Sequence, residues 1–338
     1  MRVDRKLVGA FVLVLLVICL LLTADRVLAP PSTVAVIAMT FVPWALPGYG
    51  LALLLALGLR RRKAERPPAR GRRDLKPVGR RSRLWSTVAV IAFLGAALHA
   101  GWLAPAYVGT HPSQEPSLTV LQLNTRFGEA APAEVVQLAR SRSADVVVLE
   151  ELDPAAASRL RGAGLGKVLP HWVGDAHQGT MIYSRWPLRH ARQLPVSKGA
   201  VLVQVAAPRP FWVIGLHTTQ PAVSTTTTWA HDLREARIVA RRQSGPGLVV
   251  GDLNATLDHA PVRLLLQSGL RDAAEAGDAG WQPTWPSSGG GRPLGVPMPF
   301  SLFALDHVLV TRHIGVVATR TLTVDGTDHK ALVASLVR

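Results

Sequence analysis

Cysteine is almost absent from this 338-residue chain. The single one, Cys19, lies in an apolar run, which excludes an intrachain disulfide and a thiolate metal site and leaves it as a small apolar side chain. Redox compartment stays open on this ground. Acidic residues are also scarce, 22 against 38 Lys and Arg, for a formal net charge of +16. The surplus is concentrated: twelve of the basic residues fall between Arg60 and Arg83, opposed only by Glu65 and Asp74. The high charge is therefore mostly a property of one linker and gives no groove for duplex DNA.

Charge of either sign is missing altogether from residues 7–24, 33–59 and 84–105. Each stretch is long enough to cross roughly 30 Å of hydrocarbon as a helix. Pro43, Pro47, Gly48 and Gly50 predict a kink or tilt in the second. No small-x-small cleavage site follows the first span and two further spans do, so three transmembrane helices are preferred over a cleaved signal peptide. The positive-inside rule puts the basic amino terminus and loop 60–83 in the cytoplasm, where the loop also meets anionic lipid. The expectation is a multi-pass protein of the cell membrane with its carboxy-terminal domain extracytoplasmic. Residues 106–116, with Gly109, Pro112 and Pro116, read as the linker out of the membrane.

From residue 117 the pattern changes to a second domain that runs to 338. Strands are expected at 118–124, 145–150, 180–184, 201–206, 211–217, 247–251, 306–311, 316–323 and 331–337, and helices at 133–141, 154–162, 229–243 and 260–268. Mixed strands with helices outside imply an α/β sandwich. The segment 277–299, rich in Gly, Pro and Trp, carries neither signal.

Several apolar runs end in short polar motifs: Leu123-Asn124, Glu150-Glu151, His217, Gly251-Asp252-Leu253-Asn254, Leu305-Asp306-His307 and Thr327-Asp328-His329. A buried strand that ends in such a residue delivers it to the rim of the sheet. Carboxylates are rarely buried unless they are paired or coordinate something. An oxygen-rich set with few histidines suits Mg²⁺, with Mn²⁺ as the alternative ion, and the chemistry this suggests is hydrolysis of a phosphate ester.

At these residues the chain resembles the endonuclease/exonuclease/phosphatase superfamily, whose fold is DNase I-like. The resemblance covers about residues 117–338 and rests on Gly251-Asp252-Leu253-Asn254 and Thr327-Asp328-His329, supported by Leu149-Glu150-Glu151 and by His217 with Pro221 behind it. It implies a four-layer α/β sandwich of two packed sheets flanked by helices, with a divalent-metal site at one edge. Glu151 is similar to the family's metal-binding glutamate, with Asn124 and Asp328 as its helpers. Glu150 stands where relatives commonly have Gln and is read as a solvated neighbour in preference to a second ligand. Asp252 would align or deprotonate water, and Asn254, on the same side by strand alternation, would donate to a phosphoryl oxygen. His329 matches the terminal catalytic histidine, oriented by Asp306; proton removal and charge stabilisation both stay open for it. His217 would contact phosphate or protonate the leaving oxygen. His307 should point to the opposite face as a structural residue, and Trp285 is a substrate-stacking candidate against ordinary packing.

Two elements of relatives are missing. No glutamate in 179–185 matches the one that partners the acid histidine of secreted deoxyribonucleases, and no basic motif of the inositol phosphatases is present. The leading expectation is a membrane-anchored phosphoesterase acting on nucleic acid or on a phospholipid or sphingolipid head group, with the lipid bilayer as its surroundings and no protein partner. The rival is a catalytically silent binding domain of the same fold.

Overall fold

The structure, a computed structural model, describes residues 4–61, 80–109, 114–287 and 296–338. Most of the basic loop expected at 60–83, part of the linker 106–116 and part of the segment 277–299 lie outside the described residues. The chain divides into two compact units, 1–104 and 105–338.

The first unit is helical: α1 (Arg5–Leu28), α2 (Thr33–Met39), α3 (Ala45–Arg61) and α4 (Arg80–Leu103). The amino end of α1 is capped by Asp4, whose carboxylate accepts from Lys6 N at 2.8 Å. Among the described residues, three helices are long and apolar enough to cross a membrane: Arg5–Leu28, Val42–Arg60 and Arg83–Tyr107. The second differs from the expected continuous 33–59. Pro43, which lacks an N–H to continue a helix, sits in a 3₁₀ turn (Val42–Trp44) that separates α2 from α3. Val12, Leu16 and Cys19 of α1 pack against Ala45, Tyr49, Ala52 and Ala56 and against Val88, Ala89 and Ala92 of α4, a set whose alanines let helices approach closely.

The second unit alternates strands and helices. In order these are β1 (Leu118–Asn124), α5 (Pro132–Ser141), β2 (Val146–Leu152), α6 (Pro154–Gly162), α7 (Leu165–Val168), β3 (His171–Asp175), β4 (Gly179–Ser184), β5 (Leu188–Gln193), β6 (Ala200–Val205) and β7 (Phe211–Leu216). They continue as α8 (Thr226–Arg241), β8 (Gly247–Asp252), α9 (Ala260–Leu266), β9 (Leu270–Asp272), α10 (Ala273–Ala276), β10 (Asp306–Thr311), β11 (Gly315–Leu322) and β12 (Ala331–Val337). The strands form two six-stranded mixed sheets, β11-β12-β1-β2-β4-β3 and β5-β6-β7-β8-β10-β9. β3, β5 and β9 were not anticipated. β3 and β5 lie on sheet edges, and β5 is polar along its length with Arg189 and Arg192 exposed, so it carries charge that blocks edge pairing and no apolar alternation to read.

Each sheet has one parallel pair, β1 with β2 and β7 with β8. Period-2 alternation splits the side chains of β1 and β2 between two cores. Val120, Val146 and Val148 join Val213, Val250 and Val308 between the sheets. Leu121, Leu123, Val147 and Leu149 face the helices with Val135, Val136 and Leu160.

Candidate active site

The site grows from the polar end of the inter-sheet core. Asn124 pairs in register with Glu150 across β1 and β2, and Asp252 with Asp306 across β8 and β10. Counting by twos, Asn124 follows Val120 and Gln122; Glu150 follows Val146 and Val148; Asp252 follows Leu248 and Val250; and Asp306 precedes Val308 and Val310. All four therefore face the interior, and Gln122, Asn124, Glu150, Asp252 and Asp306 are buried. The expectation that Glu150 is a solvated neighbour is corrected here: it has no exposed surface, because it shares a strand face with Val146 and Val148. Glu151 breaks the alternation. A register shift between Leu149 and Leu152, with φ of 52° at Glu151, re-aims its carboxylate, which is 22% exposed.

Asp252 is the point of convergence. Its Oδ2 accepts from Asn124 Nδ2 at 3.0 Å and lies 3.8 Å from both His217 Nε2 and His329 Nε2, while its Oδ1 accepts from Asn254 N at 2.8 Å. Asn124 also donates to Glu151 Oε1 at 3.2 Å, and His217 Nε2 is 3.6 Å from that oxygen. Asp306 Oδ2 is bonded to His329 Nδ1 at 2.8 Å. Gln122 Nε2 bridges Asp306 Oδ1 at 2.7 Å and Glu150 Oε2 at 2.9 Å. Thr327 joins the His329 segment to β1: its hydroxyl donates to Asn124 O at 2.7 Å and accepts from His329 N at 3.1 Å.

These distances sort the two site histidines. Burial pulls the His217 imidazole down to about 4, so it is neutral at physiological pH. Burial acts the same way on His329, but the carboxylates of Asp306 and Asp252 overcome it and raise that imidazole to about 10. Burial would raise Asp306 too, and is outweighed by the His329 charge and by hydrogen bonds from His329, Thr284 and Gln122, leaving it lowered. Asp252 is raised, first by burial and then by the nearby Asp306 charge. Glu150 is pushed well above the usual carboxylate range, again by burial and then by Asp306. Its Oε1 has no hydrogen-bond partner among the described residues, a condition a neutral acid tolerates better than a carboxylate.

Donor atoms of Asp252, Asp306 and His329 lie within 4.8 Å of one another, close enough to share one cation. Glu151 offers a partly exposed carboxylate beside them. Asp328, expected on the metal side, has Oδ2 accepting from the Trp285 indole N–H at 3.0 Å. Trp285, the stacking candidate, lies against Phe303 with ring centroids 6.1 Å apart. Asn254 does not reach its position by strand alternation, since β8 ends at Asp252 and Asn254 has φ of 47°. Its Nδ2 donates to Thr218 O at 2.9 Å. His307 faces away as expected, bonded to Asp272 Oδ2 at 3.0 Å and Ala255 O at 2.8 Å. Gln122 and Thr327 were missed; for Gln122 the signal was a polar residue on the same strand face as Val120 and Asn124.

The model of the endonuclease/exonuclease/phosphatase family matches residues 121–329, more than half of the chain. The chain belongs to this family. Solved structures of similar fold include D. rerio TDP2 complexed with single-strand DNA product, at 15% identity and TM-score 0.53, covering 65% of this chain and 99% of that one. A Bacteroides thetaiotaomicron mannosyl-6-phosphatase matches at 14% identity and TM-score 0.51, covering 66% and 100%. SmcL matches at 19% identity and TM-score 0.50, covering 64% and 98%. At these identities the likeness is one of fold. No curated protein matches the sequence significantly.

Proposed function

We propose that this member of the endonuclease/exonuclease/phosphatase family is a membrane-anchored, divalent-metal-dependent phosphoesterase that cleaves its substrate by in-line attack of water. One observation carries the reading: a single buried carboxylate, Asp252, lies 3.8 Å from the imidazoles of both His217 and His329, and His329 is bonded at 2.8 Å to a second buried carboxylate, Asp306. Two carboxylates and two imidazoles gathered in one buried place are costly without a use.

The donor set fits a hard cation, being rich in carboxylate oxygen and free of sulfur. Glu151 would hold Mg²⁺ or Mn²⁺ with Asn124 beside it, and Asp328 is the third ligand that the resemblance suggests. When bound, the ion supplies Lewis acidity to the phosphoryl oxygen and takes up charge at the leaving oxygen. The remaining work falls to the chain. Asp252, its acidity weakened by burial, orients the attacking water and accepts its proton. His329, hydrogen-bonded to Asp306 and raised by the Asp306 and Asp252 charges, donates to the developing phosphorane charge. His217, neutral, contacts phosphate by hydrogen bonding. Asn254 keeps one amide hydrogen for a phosphoryl oxygen after bonding Thr218 O.

The three apolar helices support a multi-pass anchor, with loop 60–83 cytoplasmic and the catalytic unit outside. A reporter that is active only in the cytoplasm, fused after Arg338, should stay silent; its activity would overturn this orientation. For the chemistry, full-length protein in detergent is assayed with Mg²⁺ and with Mn²⁺ against bis-(p-nitrophenyl) phosphate, DNA, RNA and sphingomyelin vesicles. Asp252→Ala and His329→Ala should each lower the rate about 10²- to 10⁴-fold. Equal residual rates in wild type and variants would favour the silent binding domain instead. The substrate that is cleaved names the class.

A further inference from the structure

We infer that Asp232, on the buried side of α8, is the positioning residue for His217 and acts through the backbone on both sides of that histidine. The inference rests on the reading of His217 as a phosphate-contacting group. His217 is 3% exposed, yet its ring makes no hydrogen bond among the described residues; Glu151 and Asp252 lie at 3.6 and 3.8 Å, beyond hydrogen-bond reach. No hydrogen bond on the ring therefore fixes its direction, which leaves that task to packing and to the backbone that carries it.

A closed circuit of hydrogen bonds holds that backbone. Asp232, fully buried, accepts at Oδ1 from Ser197 N at 3.1 Å and Ser197 Oγ at 3.0 Å, and at Oδ2 from Thr219 N at 3.1 Å. Two residues beyond Ser197, Gly199 O accepts from His217 N at 3.0 Å. Two residues beyond His217 stands Thr219, which returns the circuit to Asp232. Gly199 is held in place by a second bond, since its carbonyl also accepts from Thr180 Oγ1 at 2.9 Å, and only glycine fits there: at φ of 105° a Cβ would lie 2.3 Å from Gln178 O. The carboxylate is the joint of the circuit because it can accept at both oxygens; an amide offers one acceptor and turns a donor toward the other N–H.

The test is a double-mutant cycle on full-length protein. Asp232→Asn should lower kcat about 10- to 100-fold with KM changed far less, the range expected when the support of a site residue is removed. Adding Asp232→Asn to His217→Ala should cost nothing further, since the positioned group is already gone. Ser197→Ala, which deletes one of the three donors at an exposed residue, should give a smaller loss with the same non-additivity, and carries the cycle alone if Asp232→Asn does not fold. Losses that multiply in the double variant, or an Asp232→Asn enzyme within about twofold of wild type, would overturn the inference. A second readout needs no turnover: the ¹⁵N signals of the His217 ring should be a single sharp set in wild type and broadened in Asp232→Asn. Unchanged ring signals count against Asp232 even if every ester proves inert, and inertness of wild type alone counts against the proposed function.

Discussion

Substituting alanine for Gly251 tests the packing on which the whole site depends. Gly251 has φ of 150°, and a Cβ there would lie 1.8 Å from Leu216 O, 2.8 Å from Leu216 C and 3.0 Å from Glu150 Oε1. The first two atoms are backbone, so no side-chain rotation relieves the clash. β7 would have to move away from β8 by more than 1 Å to bring the carbonyl contact from 1.8 Å to the 3.0 Å floor, against the bond from Thr218 N to Asp252 O at 3.1 Å. Strain at a backbone conformation that side chains rarely adopt costs about 1–3 kcal/mol, and overpacking about 1–3 kcal/mol more. The expected destabilisation is therefore about 2–6 kcal/mol, against a total stability of about 5–15 kcal/mol. In a unit of this size that corresponds to a fall of roughly 5–20 °C in Tm. Because the strands that must part carry His217 and Asp252 at their ends, activity should fall more steeply than stability. The control is Gly166→Ala, where the structure leaves open space and helical φ, and where a gain of about 0.4–1 kcal/mol is expected. Thermal melting and phosphoesterase rates of the two variants decide the matter. A Gly251→Ala protein melting within about 1 °C of wild type with full activity would refute the reasoning.

Three further outcomes are expected. Burial, and then the Asp306 charge, push Glu150 well above its ordinary 4.5, so the fold holds this proton more tightly than the unfolded chain and stability falls as pH rises above that value. In chelator-treated protein, Glu150→Gln should therefore gain on wild type by up to about 1.4 kcal/mol per pH unit as the pH is raised above about 4.5; parallel stability curves would contradict this. In the same metal-free state NMR should find His217 neutral down to about pH 4 and His329 protonated until about pH 10, so the stability from His329 is present below 6.5 and lost through 10. A His329 titration near 6.5, or one that Asp306→Asn does not lower, would dissolve the proposed dyad. Trp285→Phe removes the indole donor from Asp328 and should weaken Mg²⁺ activation about 10-fold; an unchanged half-saturating Mg²⁺ concentration would separate Asp328 from the metal.

Much of this was legible in one dimension. Uncharged runs announce helices long and apolar enough to cross a membrane, and the place of the break in the second was marked by Pro43. The two-residue period of β1, β2, β8 and β10, read to its end, assigns Asn124, Asp252 and Asp306 to one face and would have assigned Glu150 there too. Taking Glu150 as solvated ignored that parity. The edge strands were illegible for a physical reason: β5 buries little, so selection for burial writes no alternation into it.

What the sequence by itself determined was the inventory: which strands carry polar ends, that the donors are oxygen and imidazole, and that the chain holds both a membrane-length apolar region and an α/β sandwich. Tertiary structure alone decided how those groups use one another. The bulge that re-aims Glu151, the indole that binds Asp328 and the Asp232 circuit around His217 join residues up to 43 positions apart, through side-chain and backbone groups whose pairing no sequence motif marks. The charge states were likewise decided there, since burial and the distance to Asp306 and Asp252 make one imidazole neutral and the other a cation.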